Sequence, residues 1–133
     1  MRRLTVFFAS LAVAICIANN SLAASTLPPQ TTSASGVTVK ATPQNLSDKS
    51  WDFEIVFDTH SQELNDDLMK AAVLVAAGGA TSAPVSWLGD PPGGHHRKGV
   101  LQFKSVSPMP ASIELQIKRS GETAPRSFRW QLK

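Results

Sequence analysis

The chain has no tyrosine, only one cysteine, and just 17% charged residues. Cys16 lies inside the apolar stretch near the start, so it cannot close a disulfide within the chain. Removal of that stretch would also remove any thiolate ligand, leaving only N and O donors, or the thioether of Met109, for a metal. The absence of tyrosine counts against a carbohydrate-binding platform of exposed rings. No apolar run reaches the ~20 residues a membrane-spanning helix needs. Neither a glycine–lysine–hydroxyl P-loop ending nor a Gly-x-Ser-x-Gly nucleophile elbow is present. These absences remove the common nucleotide-phosphate and serine-hydrolase readings, and a non-enzymatic role is expected.

What is present begins with an address. Met1-Arg2-Arg3 is basic, residues 6–18 are apolar, and Ser21-Leu22-Ala23 places small residues where a signal peptidase reads. That order defines a secretory signal peptide, with cleavage after Ala23 or, alternatively, Ala24. The apolar run is about 13 residues, too short to remain as a membrane anchor. Ile15 precedes Cys16 where a lipid-anchor signal needs a small residue, so lipidation is not expected. The expected location is the periplasm or the exterior, with no stable membrane insertion after cleavage. Formal charge is +3 for the whole chain and falls to +1 without Arg2 and Arg3. A nearly neutral domain gives no electrostatic case for nucleic acid. About 110 residues remain, enough for one domain with a core.

Residues 24–35 are small, polar and proline-containing, which reads as a flexible leader before a domain at 36–133. Beyond Gly36 the dominant period is two. Trp51-Asp52-Phe53-Glu54-Ile55-Val56-Phe57-Asp58 alternates large apolar residues with mostly acidic ones, the pattern of a half-buried strand. Ser112-Ile113-Glu114-Leu115-Gln116-Ile117-Lys118 and Ser127-Phe128-Arg129-Trp130-Gln131-Leu132-Lys133 repeat it. Residues 99–104 and the set Thr81, Ala83, Val85, Trp87 fit more loosely, and Val37 and Val39 mark a first strand before a turn at Pro43. Segment 66–77 suits either one helix or a short helical turn near 65–70 followed by a buried strand, and the second is preferred because its neighbours are strands. About seven short strands separated by Pro and Gly predict an all-β antiparallel β-sandwich of immunoglobulin-like topology. Trp51, Trp87 and Trp130 read as core. Lys118, Arg119, Arg126 and Arg129 read as the charged outer faces of the last strands.

The stretch Gly89-Asp90-Pro91-Pro92-Gly93-Gly94-His95-His96-Arg97-Lys98-Gly99 carries the most chemistry. It sets two imidazoles and two cations on a loop that Pro and Gly keep out of regular structure. His60, just past the second strand in Asp58-Thr59-His60-Ser61, could meet this loop at one end of the sandwich. Imidazole suits Cu(II) or Zn(II), and Asp58 or Asp90 could complete a set with His60, His95 and His96. Arg97 would be a neighbouring cation, or would pair with Asp90 across the turn. Adjacent strand residues point to opposite faces, so His95 and His96 converge only if Gly93 and Gly94 bend the backbone. The plainer alternative is a surface loop whose imidazoles bond to backbone. A third reading uses Gly93, Gly94 and the cations as an anion-binding nest. Glu63, Asp66 and Asp67 cluster at a helix start, where the dipole accounts for them.

The segments Asp58-Thr59-His60-Ser61 and Pro91-Pro92-Gly93-Gly94-His95-His96-Arg97 resemble signatures of a group of small exported β-sandwich proteins of unassigned function. The resemblance covers most of 36–133 and implies that the two histidine-bearing segments belong together. The expectation is therefore an exported accessory protein that binds copper or zinc through histidines at one end of a β-sandwich. The rival is a ligand-free interaction or structural module that docks a protein partner.

Overall fold

The computed structural model describes residues 27–133. The signal-peptide and cleavage-site expectations, and the first residues of the expected leader, lie outside the described residues. Nine strands and one helical turn follow in order: β1 Gln30–Ala34, β2 Val37–Leu46, β3 Ser50–Thr59, α1 Leu68–Ala71, β4 Ala72–Ala76, β5 Thr81–Ser82, β6 Ser86–Gly89, β7 His96–Lys104, β8 Ser112–Ile117 and β9 Arg126–Gln131. They form two antiparallel sheets, β1-β2-β3-β7-β6 and β5-β4-β8-β9. The chain passes between sheets three times, from β3 to β4, β5 to β6 and β7 to β8.

Alternation in the sequence becomes alternation in burial. Trp51, Phe53, Ile55 and Phe57 of β3 are buried, as are Leu101 and Phe103 of β7. Ile113, Leu115 and Ile117 of β8 and Phe128 and Trp130 of β9 form the facing layer. Phe53 meets Phe103 within its own sheet, edge to face at 5.7 Å, and reaches across to Trp130 of the other sheet at the same separation. That second contact shows the two inner faces closed on one core, a sandwich-like all-β arrangement. Segment 66–77 resolves as a short helical turn and then a strand. Asp67 caps α1 by accepting a hydrogen bond from the Met69 amide at 3.1 Å, and β4 runs between β5 and β8.

Four expectations are corrected. Much of the expected leader is structured: Gln30–Ala34 pairs with Val37–Ala41 across a tight turn, because even small polar side chains can complete an edge strand when the partner's backbone is free. The first strand does not stop at Pro43. β1 ends opposite Ala41, so beyond it Pro43 faces no partner on that side, its missing N–H leaves no gap in a ladder, and a register shift absorbs it. Residues 81–87 are two strands on different sheets, separated at the buried Pro84. Arg119 and Arg126 are not on the outer face, as both are only 5% exposed.

Candidate functional site

Three strand ends and two loops define one end of the sandwich. β3 finishes at Thr59 beside the start of β7, with Asp58 opposite His96. The pairing continues past the strands, as the Thr59 amide donates to the His95 carbonyl at 2.9 Å. Gly93 and Gly94 adopt positive φ, 118° and 74°, and this bend returns the loop against Leu64. There the Gly93 amide donates to the Leu64 carbonyl, and the Leu64 amide donates to Gly94. The two histidine-bearing segments are thus held together by backbone hydrogen bonds.

The side chains divide differently from the expected set. His96 and Asp58 are brought together, with Nδ1 of His96 2.5 Å from Oδ1 of Asp58. A carboxylate only accepts, so Nδ1–H donates and the neutral ring keeps its lone pair on Nε2. Both side chains are well exposed, 60% and 58%. An exposed pair contributes about 0–1 kcal/mol to stability, so its main consequence is to fix the ring's orientation and tautomer. His60 is exposed one residue beyond Thr59. It follows the last pair of the β3–β7 ladder, Asp58 opposite His96, in the bend that leads to Leu64. His95 precedes β7 and takes the other parity, with Arg97, because the glycine bend falls before it.

Asp90 is not available as a ligand on the same terms. Its Oδ2 accepts from the Lys98 amide at 2.9 Å, and its carbonyl accepts from Trp87 Nε1 and Arg97 Nε. Asp90 staples the β6–β7 connection. Arg97 is 3% exposed, donates from Nη1 to the Asp66 carbonyl at 2.6 Å and lies 5.3 Å from the centre of the Trp87 ring. Burial pushes its guanidinium below the ordinary value, against the neighbouring charges of Asp66, Asp90 and Asp67. It is thus a buried stacking and tethering residue and not a cation free to face the rim, and what it meets on Asp90 is the carbonyl, not the carboxylate. Met109 follows the far end of β7, roughly 26 Å away at the usual rise per strand residue. Among the described residues, no group of three or more His, Cys, Asp or Glu side chains is placed to hold a metal ion.

The sequence reading missed a charged network at the same end. Arg119 donates through Nε and Nη2 to Asp66 Oδ2, both at 3.1 Å, and through Nη1 to Glu122 at 3.2 Å. Glu122 also accepts from Arg126 at 2.6 and 2.8 Å. Arg126 then reaches the β1–β2 hairpin, donating to the carbonyls of Thr32, Ala34 and Val37. Hydrogen bonding from Arg126 holds the Glu122 carboxyl below the ordinary glutamate range, against the opposing effect of burial. The signal was available: Arg126 shares the parity of Phe128 and Trp130, and Arg119 continues that of Leu115 and Ile117.

The geometry defines an all-β, two-sheet domain with an oriented imidazole at one rim. Among the described residues, no helix is long and apolar enough to cross a membrane. Comparison with family models, curated proteins and solved structures finds no match for this chain.

Proposed function

We propose that the chain is an exported, non-enzymatic accessory protein that binds a divalent transition metal, copper first and zinc second, at the rim where β3 ends and β7 begins. His96 is the anchoring ligand through Nε2, Asp58 orients it, and His60 supplies a further nitrogen as the ion is taken up. The observation that carries this reading is the His96–Asp58 hydrogen bond. A metal-binding imidazole ordinarily donates its other N–H to a carboxylate, which fixes the tautomer and raises ligand basicity. The exposed His60, two residues past Asp58, supports a second ligand, so the site assembles on binding. Export is read from the basic, apolar and small-residue order of the first residues. We read the sandwich as immunoglobulin-like, a reading supported by the three passages between sheets.

Calorimetric titration of the processed protein with Cu(II) and Zn(II) tests this. Saturable heat is expected, with His96→Ala and Asp58→Asn weakening Cu(II) binding, the latter by about 10–100-fold. Absence of heat, or equal binding by a His60, His95, His96 triple alanine variant, removes the metal reading.

A second reading, a ligand-free interaction module, is favoured by Leu88 and Val85. They are 63% and 44% exposed on and beside the short edge strand β6, and exposed apolar edges are where strands recruit partners. Affinity capture from the exported fraction with wild-type and Leu88→Asp protein tests it. A partner lost on substitution supports this reading, and recovery of none defeats it.

A further inference from the structure

We propose that the groove between segment 62–71 and the 118–121 turn binds small zwitterions, the class of free amino acids and short peptides. The groove is open to solvent, with a volume of about 670 Å³, within the range of small-molecule sites. Its charges come from two walls, Glu63, Asp66, Asp67 and Lys70 from one and Lys118 and Arg119 from the other, joined at the Asp66–Arg119 pair.

Asp66 points to the ligand's chemistry. Its side chain is 5% exposed, and both bonds from Arg119 go to Oδ2. Oδ1 accepts no hydrogen bond among the described residues. No sealed side-chain oxygen or nitrogen lacks a partner, so this oxygen keeps some access to solvent, and Asp66 lines the groove. A nearly desolvated carboxylate oxygen is an acceptor only, and its strongest partner is a cationic N–H. An ammonium there leaves the ligand's carboxylate to Lys118, which sits on the rim and donates to the Glu122 carbonyl, and to Lys70, which is 87% exposed. The lining carries equal numbers of acids and cations. A simple anion or cation meets like charge on one wall, whereas a ligand bearing both signs meets neither.

This site is separate from the His96 rim and does not depend on metal binding. The test is a backbone-amide NMR titration of the processed protein with L-alanyl-L-alanine, its N-acetylated form and its C-terminal amide. Saturable shifts are expected at 62–71 and 118–121, with each blocked peptide binding about tenfold more weakly or worse, since each loses one charge-assisted contact. Lys118→Gln should weaken the free dipeptide about tenfold and leave the rest of the spectrum in place. Asp66→Asn is read only if its spectrum remains folded, because Asp66 also holds Arg119. No saturable shift up to about 50 mM dipeptide, shifts confined elsewhere, or equal binding of the blocked forms overturns the proposal. Copper titration is unaffected by any of these outcomes, so the two readings fail separately.

Discussion

Gly89 and Gly99 face each other across β6 and β7 with no room for a side chain on either. A Cβ on Gly99 would fall 2.6 Å from Cζ2 of Trp87 and 2.7 Å from the Gly89 Cα, and one on Gly89 would fall 2.3 Å from the Gly99 Cα. The gap lets the Trp87 ring lie over β7, where Arg97 stacks on it at 5.3 Å. Gly99→Ala should therefore displace the ring and cost about 1–3 kcal/mol, as overpacking of a filled site does. Urea unfolding checks the stability. Because Arg97 also tethers the Asp66 and Asp90 carbonyls, the variant should shift amide resonances around 64–67 as well as those around 87–99. A stability within about 0.5 kcal/mol of wild type would mean that the ring has other room.

At the scale of elements, the β1–β2 hairpin is held less by its side chains than by Arg126. That guanidinium reaches from β9 to three carbonyls of the hairpin while paired with Glu122. Arg126→Ala would take its donors from those carbonyls and leave a carboxylate that is only 10% exposed with the single bond from Arg119. Removing one partner of a buried pair costs about 3–5 kcal/mol, and hydrogen exchange should rise first in residues 30–34. The same pair sets an acid response. Hydrogen bonding from Arg126 depresses the Glu122 carboxyl in the folded state, so folding releases a proton there. The associated stability is complete above the ordinary glutamate value of about 4.3 and is lost as pH falls through the lower folded value. Unfolding free energy followed from pH 7 downward should drop below about pH 4.5, and Glu122→Gln should lose that part of the slope. An unchanged slope would mean that other carboxylates carry it. Much of this was legible in the alternation that set the strands. Arg97, Arg119 and Arg126 each sit on the apolar parity of their strand or its extension, and position alone marks them as inward. What alternation could not supply was the partners, because Asp66, Glu122 and the hairpin carbonyls come from loops and an edge strand whose approach depends on tertiary packing. The same alternation spreads the histidines. His95 and His96 are consecutive, so alternation separates them, and the glycine bend falls before the pair.

For the whole molecule, the consequence of lacking disulfides is that two sheets stay together through one apolar layer and the Arg126 bonds at its edge. Phe53 sits at its centre, 0% exposed, touching Phe103 in its own sheet and Trp130 in the other. Three passages of the chain between sheets mean that neither sheet is a contiguous segment able to form first and wait. Isolated sheets would also expose apolar faces to water, so the two should fold and unfold as a unit. Phe53→Ala should cost about 3–5 kcal/mol, the loss of transfer free energy plus the cavity left between sheets. Trp130 is buried in one sheet and Trp51 in the other, so tryptophan fluorescence reports both inner faces while far-UV circular dichroism reports the strands. In wild type and Phe53→Ala alike, the two signals should trace the same urea transition, moved to lower urea in the variant with an unchanged slope. Fluorescence changing before the strand signal would show that the sheets part before either melts, and the core would then be two weakly joined layers.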